Sequence, residues 1–255
     1  MNDAARRAAS SGASAPAPGG LDQFVPARQL IYAANISRKY NMVYIETPKT
    51  GCSRIKALLI AAELGTDPSR IDLSDLHNRS KSPLMQPADP ASLTAFIAQQ
   101  KPLVFCFVRN PYTRFLSAYL DKIQRDGPFR AKVARDLRVD PGHRDAVSFR
   151  AFADYVQGQA VAAMDPHWRV QFFHTLSDRI RHDFVGRTET FEESLREVCR
   201  IAGISFDRYY SELGGHATGA SRRIGEFYDE GIAATVGSIY TADFQNFGYG
   251  SGDLR

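Results

Sequence analysis

Apolar positions along this chain fall into two patterns. Met42–Ile45 (MVYI) and Leu103–Val108 (LVFCFV) are unbroken apolar runs, as expected of strands covered on both faces of a parallel sheet. Elsewhere the spacing is helical. Ile55, Leu58, Leu59 and Ala62 predict a helix that stops at Gly65, and a second helix over 91–100 is closed by Pro102. Asn110 and Pro111 are suited to the N-cap and first helical position of a helix whose apolar face is Phe115, Leu116, Tyr119, Leu120 and Ile123. Further helices are predicted over Phe149–Gln157, about Arg169–Leu176 and over Glu230–Ile239. "HDFVGR" predicts a short strand, and "TFEESLREVCRIAG" a helix with Thr190 as cap and Glu193 completing a capping box.

The remaining segments are weaker in pattern. Residues 21–41 offer Phe24, Leu30, Ile31 and Tyr32 for packing, and Ile71–Leu73 predicts one more short strand. Gly127–Arg144, charged and punctuated by Pro and Gly, predicts an exposed excursion. The aromatic ending, Tyr240, Phe244, Phe247 and Tyr249, is expected to close the core. Strands separated by helices predict an α/β fold, a single P-loop-like domain with a central parallel sheet flanked by helices. The expected boundaries are a flexible Ala/Ser/Gly/Pro tail over 1–22 and one domain over 23–255.

Composition narrows the class only a little. With 255 residues, 44% hydrophobic and 24% charged, the chain reads as soluble and globular. Its net charge of +4 suits an anionic ligand, but no Lys/Arg block points to nucleic acid, so no nucleic-acid partner is expected. Cys52, Cys106 and Cys199 are odd in number and far apart, which predicts neither a disulfide framework nor a zinc site. A reducing, cytoplasmic setting is the expectation. The first twenty residues have no apolar core of a secretory signal, a transit peptide being the weaker option, and no stretch reaches the ~18–20 apolar residues of a membrane span.

Chemistry enters with "YIETPKTGCSRIKALL", residues 44–59, which predicts strand, tight loop and helix. Backbone N–H groups at such a helix start, here those of Thr50, Cys52 and Ser53 around Gly51, form an anion site. The hydroxyls of Thr50 and Ser53 and the charge of Lys49 are placed to add to it. Lysine precedes glycine, so the G-x-x-x-x-G-K order of nucleotide triphosphate loops is absent. The bland alternative is a plain strand–turn–helix connection. A second candidate site is Arg109 at the end of the buried strand with Ser117 on the following helix, a pair suited to clamping a phosphate. Its alternative is a capping arginine and a serine bonded to its own helix.

"PKTGCS" followed by "VRNPYTRFLSAY" resembles the paired motifs of sulfotransferases that use 3′-phosphoadenosine 5′-phosphosulfate (PAPS). The similarity is nearest to the carbohydrate sulfotransferases that modify chondroitin, dermatan and related glycans. It extends through "DPHW", "HDFVGRTETFEESL" and "IYTADFQNFGY", about residues 42–249. The resemblance implies PAPS as sulfuryl donor, with Lys49, Thr50, Gly51, Cys52, Ser53 and Arg54 on the phosphosulfate. It implies Arg109 and Ser117 on the 3′-phosphate. The animal members of that family carry a Golgi membrane anchor and extra cysteines near the His-Trp element; neither is expected here, which leaves the acceptor open.

For sulfuryl transfer the chemistry needs a cation at the bridging oxygen and a base on the acceptor hydroxyl. Lys49 is the candidate cation. His77 is the first candidate base and His167 the second, with Asp75 or Glu46 as substitutes; His143, His174, His182 and His216 carry no such context. Trp168 is either an acceptor platform or core, and Arg222 and Arg223 either hold an anion or form a solvated pair. Cys52 either has a lowered pKa at its helix start or lends only its N–H. No metal is expected. A hydroxyl-bearing acceptor, most of all a glycan, is expected, with lipid, polyketide and tyrosine acceptors open. The competing readings are a P-loop kinase or NTPase, and a non-catalytic nucleotide-binding module of the same fold.

Overall fold

A computed structural model describes residues 20, 22–140, 142–143, 146–211, 218–250, 252 and 254 of the chain. Most of the expected tail, and His216, lie outside the described residues. In chain order the elements are α1 (Ala27–Ala33), β1 (Ala34–Ser37), β2 (Met42–Ile45), α2 (Cys52–Leu64), α3 (Pro90–Gln100), β3 (Leu103–Val108) and α4 (Pro111–Ala118), which runs on as a π-turn over Tyr119–Ile123. There follow α5 (Pro128–Asp136), α6 (Phe149–Gln157), α7 (Gln171–His174), β4 (Phe184–Arg187), α8 (Phe191–Ala202), α9 (Phe206–Tyr209), α10 (Ile224–Phe227), α11 (Glu230–Ile239) and α12 (Thr241–Phe247).

Among the described residues one sheet runs β1-β2-β3-β4. β2, β3 and β4 are parallel, with Met42 opposite Leu103 and Phe105 opposite Phe184, while β1 is an antiparallel edge. The period-2 geometry of a strand explains why the apolar runs are continuous. Val43, Ile45, Val104, Cys106 and Val108 face a core shared with α4, α6, α11 and α12. Met42, Tyr44, Phe105 and Phe107 face a second core with α2, α8 and α9. Both faces are covered, so the expected fold class holds, with the antiparallel edge as an addition.

Local chemistry explains where the elements stop and start. Gly65 closes α2 in the left-handed conformation, and the Asn110 side chain accepts from the N–H groups of Tyr112 and Thr113 at the start of α4. Three expectations are corrected. Ile71–Leu73 forms turns rather than a strand, because the Asp72 carboxylate accepts from the Ser74 N–H and hydroxyl and offers the backbone a local alternative. The excursion after Gly127 contains α5, whose Arg130, Val133 and Ala134 are buried. Thr190 makes no side-chain cap on α8; its hydroxyl meets that of Ser194 at 3.2 Å instead. β1 carried no apolar signal in the sequence. Its Asn35 is buried and bonded to the Ala33 carbonyl, while Arg79 donates to Asn35 and to the Ala34 carbonyl.

Candidate active site

The C-terminal ends of β2 and β3 open into a cleft of about 1280 Å³. That is where ligands lie on open parallel sheets. Lys49, Gly51, Cys52, Ser53, Arg54, His77, Arg109, Ser117 and His167 all line it, so the sequence-predicted site residues converge on one cavity. Thr50 is the exception. It is fully buried, and its hydroxyl donates to the Thr47 carbonyl at 2.8 Å, bracing the loop from within.

The loop owes its shape to two left-handed residues, Lys49 (φ 72°) and Gly51 (φ 83°). A Cβ on Gly51 would lie 2.5 Å from the Phe191 ring, so only glycine lets α8 pack against the loop this closely. The Lys49 ammonium is 2.8 Å from the Asp121 carboxylate on the π-turn, which Lys122 also approaches at 3.2 Å. Burial alone would raise the pKa of Asp121, but the hydrogen bond and charge of Lys49 outweigh it and hold the carboxyl at about 2. Burial lowers the pKa of Lys49, against the opposing pull of Asp121.

Arg109 occupies the expected place at the end of β3. Its guanidinium donates to the Thr113 hydroxyl (3.0 Å), the Lys49 carbonyl (3.3 Å) and the Ser221 hydroxyl (3.3 Å). No carboxylate pairs with it among the described residues, although burial lowers its pKa. The Glu189 charge acts on it without a hydrogen bond, so a largely buried guanidinium that is hydrogen-bonded only to neutral oxygens is suited to take an anion. Its backbone is fixed by Gln171, which accepts from the Arg109 N–H and donates to its carbonyl, each at 2.9 Å. Buried Asp243 holds Gln171 in turn. The Ser117 hydroxyl faces that of Thr218 at 3.0 Å, so the segment 218–222 borders the same end of the cleft.

The two candidate bases differ in surroundings. His77 is half exposed. Its Nδ1 lies 3.1 Å from the Lys56 ammonium and 3.4 Å from Glu46, and its Nε2 is 3.2 Å from the Ser53 hydroxyl. His167 has Asp165 at 2.6 Å from Nδ1, and among the described residues nothing is hydrogen-bonded to its Nε2. Burial lowers the pKa of His167, with Asp165 pulling the other way.

Glu46, Cys52 and His77 bring three potential metal-ligand atoms within 4.8 Å of one another. Their chemistry fits a metal poorly. The Lys56 ammonium is 3.0 Å from Glu46, and burial with the neighbouring Glu46 pushes the Cys52 thiol up to about 12. The same value removes the option of a reactive, low-pKa Cys52 at the helix start. Of the substitute bases, Glu46 is spent on Lys56 and held at about 2 despite burial by His77 and Lys56, and Asp75 pairs with Lys81.

Trp168 is core, only 3% exposed and edge-on to Phe152, so it is no acceptor platform. Arg222 lines the cleft, whereas Arg223 bonds to Glu226. His174 lines the cleft and bonds the Glu46 carbonyl, and His182 lies apart from it. Sequence reasoning missed four residues that line the cleft, Asp121, Lys122, Asp165 and Tyr32, the last with its hydroxyl 3.4 Å from Nδ1 of His77. Asp121 is turned into the cleft by the π-turn and Asp165 meets His167 in an irregular turn, so helical spacing flags neither.

Among the described residues no helix is long and apolar enough to cross a membrane. No solved structure matches this chain at a significant level. Among curated proteins it is similar to rat (Rattus norvegicus) carbohydrate sulfotransferase 11, 24% identical over 236 residues that cover 84% of this chain and 66% of the relative. It is also similar to human (Homo sapiens) carbohydrate sulfotransferase 14, 27% identical over 178 residues covering 67% of this chain and 46% of that protein. Mouse (Mus musculus) carbohydrate sulfotransferase 8 is 24% identical over 226 residues, 79% of this chain and 53% of that protein. The chain thus spans between about half and just under two thirds of the relatives it matches. A family model described as "Sulfotransferase family" matches residues 32–250, from α1 through the last core aromatic, and on that match the chain belongs to the sulfotransferase family.

Proposed function

We propose that this protein transfers a sulfuryl group from PAPS to a hydroxyl of a carbohydrate acceptor. The observation that carries the reading is the pair of anion sites in one cleft: a left-handed lysine–glycine loop at one, and an arginine with no carboxylate partner at the other. Two anion sites in one cleft suit a nucleotide phosphorylated at both its 3′ and 5′ ends. The names of the relatives, all carbohydrate sulfotransferases, support a sugar acceptor.

PAPS would be held by Lys49 and the N–H groups of the Gly51–Arg54 turn at its phosphosulfate end, and by Arg109 with Ser117 at its 3′-phosphate. Bound there, it supplies an activated sulfonate on a phosphate leaving group. Lys49 brings the positive charge that this leaving group needs. His167 is the better-suited base. Its Asp165 partner orients the ring through Nδ1 and leaves Nε2 to accept the proton of the acceptor hydroxyl. Both ring nitrogens of His77 are already engaged within the protein, Nδ1 by Lys56 and Glu46 and Nε2 by the Ser53 hydroxyl. His77 then orients the Ser53 hydroxyl in the donor loop. Protein cations neutralise both phosphates, so no metal is required. The three thiols are unpaired, which suits a reducing cytoplasm.

Calorimetry with 3′,5′-ADP, 5′-AMP and ATP, each in EDTA and in Mg²⁺, tests the donor assignment. The expected result is tightest binding of 3′,5′-ADP with no dependence on Mg²⁺. Mg²⁺-dependent binding of ATP in preference would replace this reading with a kinase or NTPase.

A further inference from the structure

The strand of residues that presents Asp165 and His167 has almost no regular secondary structure, so its carbonyls need donors from elsewhere. Two buried guanidinium groups supply them. Arg169 donates to the carbonyls of Val161, Ala162 and Met164. Arg114, 1% exposed, donates to the carbonyls of Pro166 (2.9 Å) and Arg169 (2.8 Å). Its remaining Nε–H crosses to the other side of the cleft and reaches the Pro48 carbonyl at 3.1 Å, one residue before Lys49. Neither arginine has an ion-pair partner among the described residues. Burying an unpaired guanidinium is costly, and apolar side chains would fill the same volume more cheaply. The arrangement makes sense if what matters is the position of the three carbonyls.

We propose that Arg114 is a positioning residue that holds the loop of His167 in register with the donor loop of Lys49. It touches neither donor nor acceptor. Through one rigid, planar group it fixes how far the proton-accepting nitrogen stands from the lysine that stabilises the leaving group. The proposal rests on the sulfotransferase reading and on His167 as base.

The test is Arg114→Lys, which keeps the charge but can serve only one or two of the three carbonyls. With wild-type-like melting and 3′,5′-ADP affinity, kcat should fall roughly 10²-fold, the scale of a misplaced catalytic group. The acid limb of the kcat profile should move up toward an ordinary histidine value as the loop loosens. In a His167→Gln background the same change should cost less than about threefold, since its effect runs through His167. A merely structural arginine would lower melting, leave the pH profile in place and cost the same in both backgrounds; that outcome overturns the proposal. Hydrogen exchange on the wild type needs no variant. Binding of 3′,5′-ADP should slow exchange at Trp168 and Arg169 as well as in the loop, and protection confined to the loop would also overturn it. If the wild type transfers no sulfuryl group to any acceptor, the sulfotransferase reading fails, and exchange still decides whether the two loops are coupled.

Discussion

Lys49 and Asp121 form an ion pair of 2.8 Å across the mouth of the donor loop. The contact exists because the helix carrying Ser117 widens into a π-turn, where Gln124 N–H bonds the Tyr119 carbonyl and the Asp121 side chain is aimed into the cleft. The lysine expected on the donor is therefore paired with a carboxylate of the protein itself.

Asp121 competes with the donor for Lys49, so Asp121→Asn should bind 3′,5′-ADP more tightly, by about 1 kcal/mol or roughly fivefold. The gain should disappear in a Lys49→Met background. Calorimetry on the four proteins reads both effects, and weaker binding by Asp121→Asn would mean that Asp121 orients the lysine rather than competing for it.

Gly51→Ala should damage loop and packing together. The left-handed backbone costs an alanine roughly 1–2 kcal/mol, and the added methyl meets the Phe191 ring at 2.5 Å. Melting should drop by several degrees and 3′,5′-ADP binding should weaken. Adding Phe191→Leu should recover part of the melting temperature, because the clash but not the backbone strain is relieved. An alanine variant that melts and binds like the wild type would contradict the described loop.

Arg109 and Ser117 are assigned to the 3′-phosphate alone. Arg109→Ala should weaken 3′,5′-ADP binding roughly ten- to a hundredfold, and Ser117→Ala by about 1 kcal/mol. Binding of 5′-AMP, which lacks that phosphate, should barely change. Equal losses for both nucleotides would assign Arg109 to the sheet and helix cap instead.

His174 gives a pH dependence to stability. Burial, with Arg169 and Arg114 nearby, lowers its pKa from 6.5 to about 3. Above about 6.5 it is neutral folded or unfolded and contributes nothing to the pH slope. Below that value the unfolded chain binds a proton that the folded state refuses, so stability falls as pH drops toward 3. Melting temperature should decline from pH 7 to 4, and His174→Gln should flatten the part of the decline above pH 5. An unchanged slope in the variant would assign the acid sensitivity elsewhere.

The parts of this molecule legible in its sequence are those set by local rules. The runs Met42–Ile45 and Leu103–Val108, the Asn110–Pro111 helix start and the Gly65 stop all lie where residue type alone places them. The cleft positions of Lys49 and Arg109 were legible because one lies in a strand-to-helix loop and the other ends a strand, and that of Ser117, inside α4, from its eight-residue spacing to Arg109. Tertiary partners decided the rest. β1 forms because β2 pairs with it and Arg79 pins its carbonyl, and nothing in "ANIS" announces a strand. Asp121 becomes a site residue only through the π-turn. The Thr50 hydroxyl, expected on the ligand, is taken by the Thr47 carbonyl, and of the two readings open for Trp168 packing chooses the core, with Phe152 and Phe129 around the indole.

Transfer itself is the most direct measurement: incubation with sulfur-labelled PAPS in EDTA, with a panel of desulfated glycans as acceptors. The account predicts label in at least one glycan and 3′,5′-ADP as co-product. Lys49→Ala should lose roughly 10²-fold in turnover with a smaller loss of 3′,5′-ADP affinity. His167→Gln should bind the nucleotide normally and transfer almost nothing. A protein that binds 3′,5′-ADP but labels no glycan, or a Lys49→Ala variant with wild-type turnover, would contradict it.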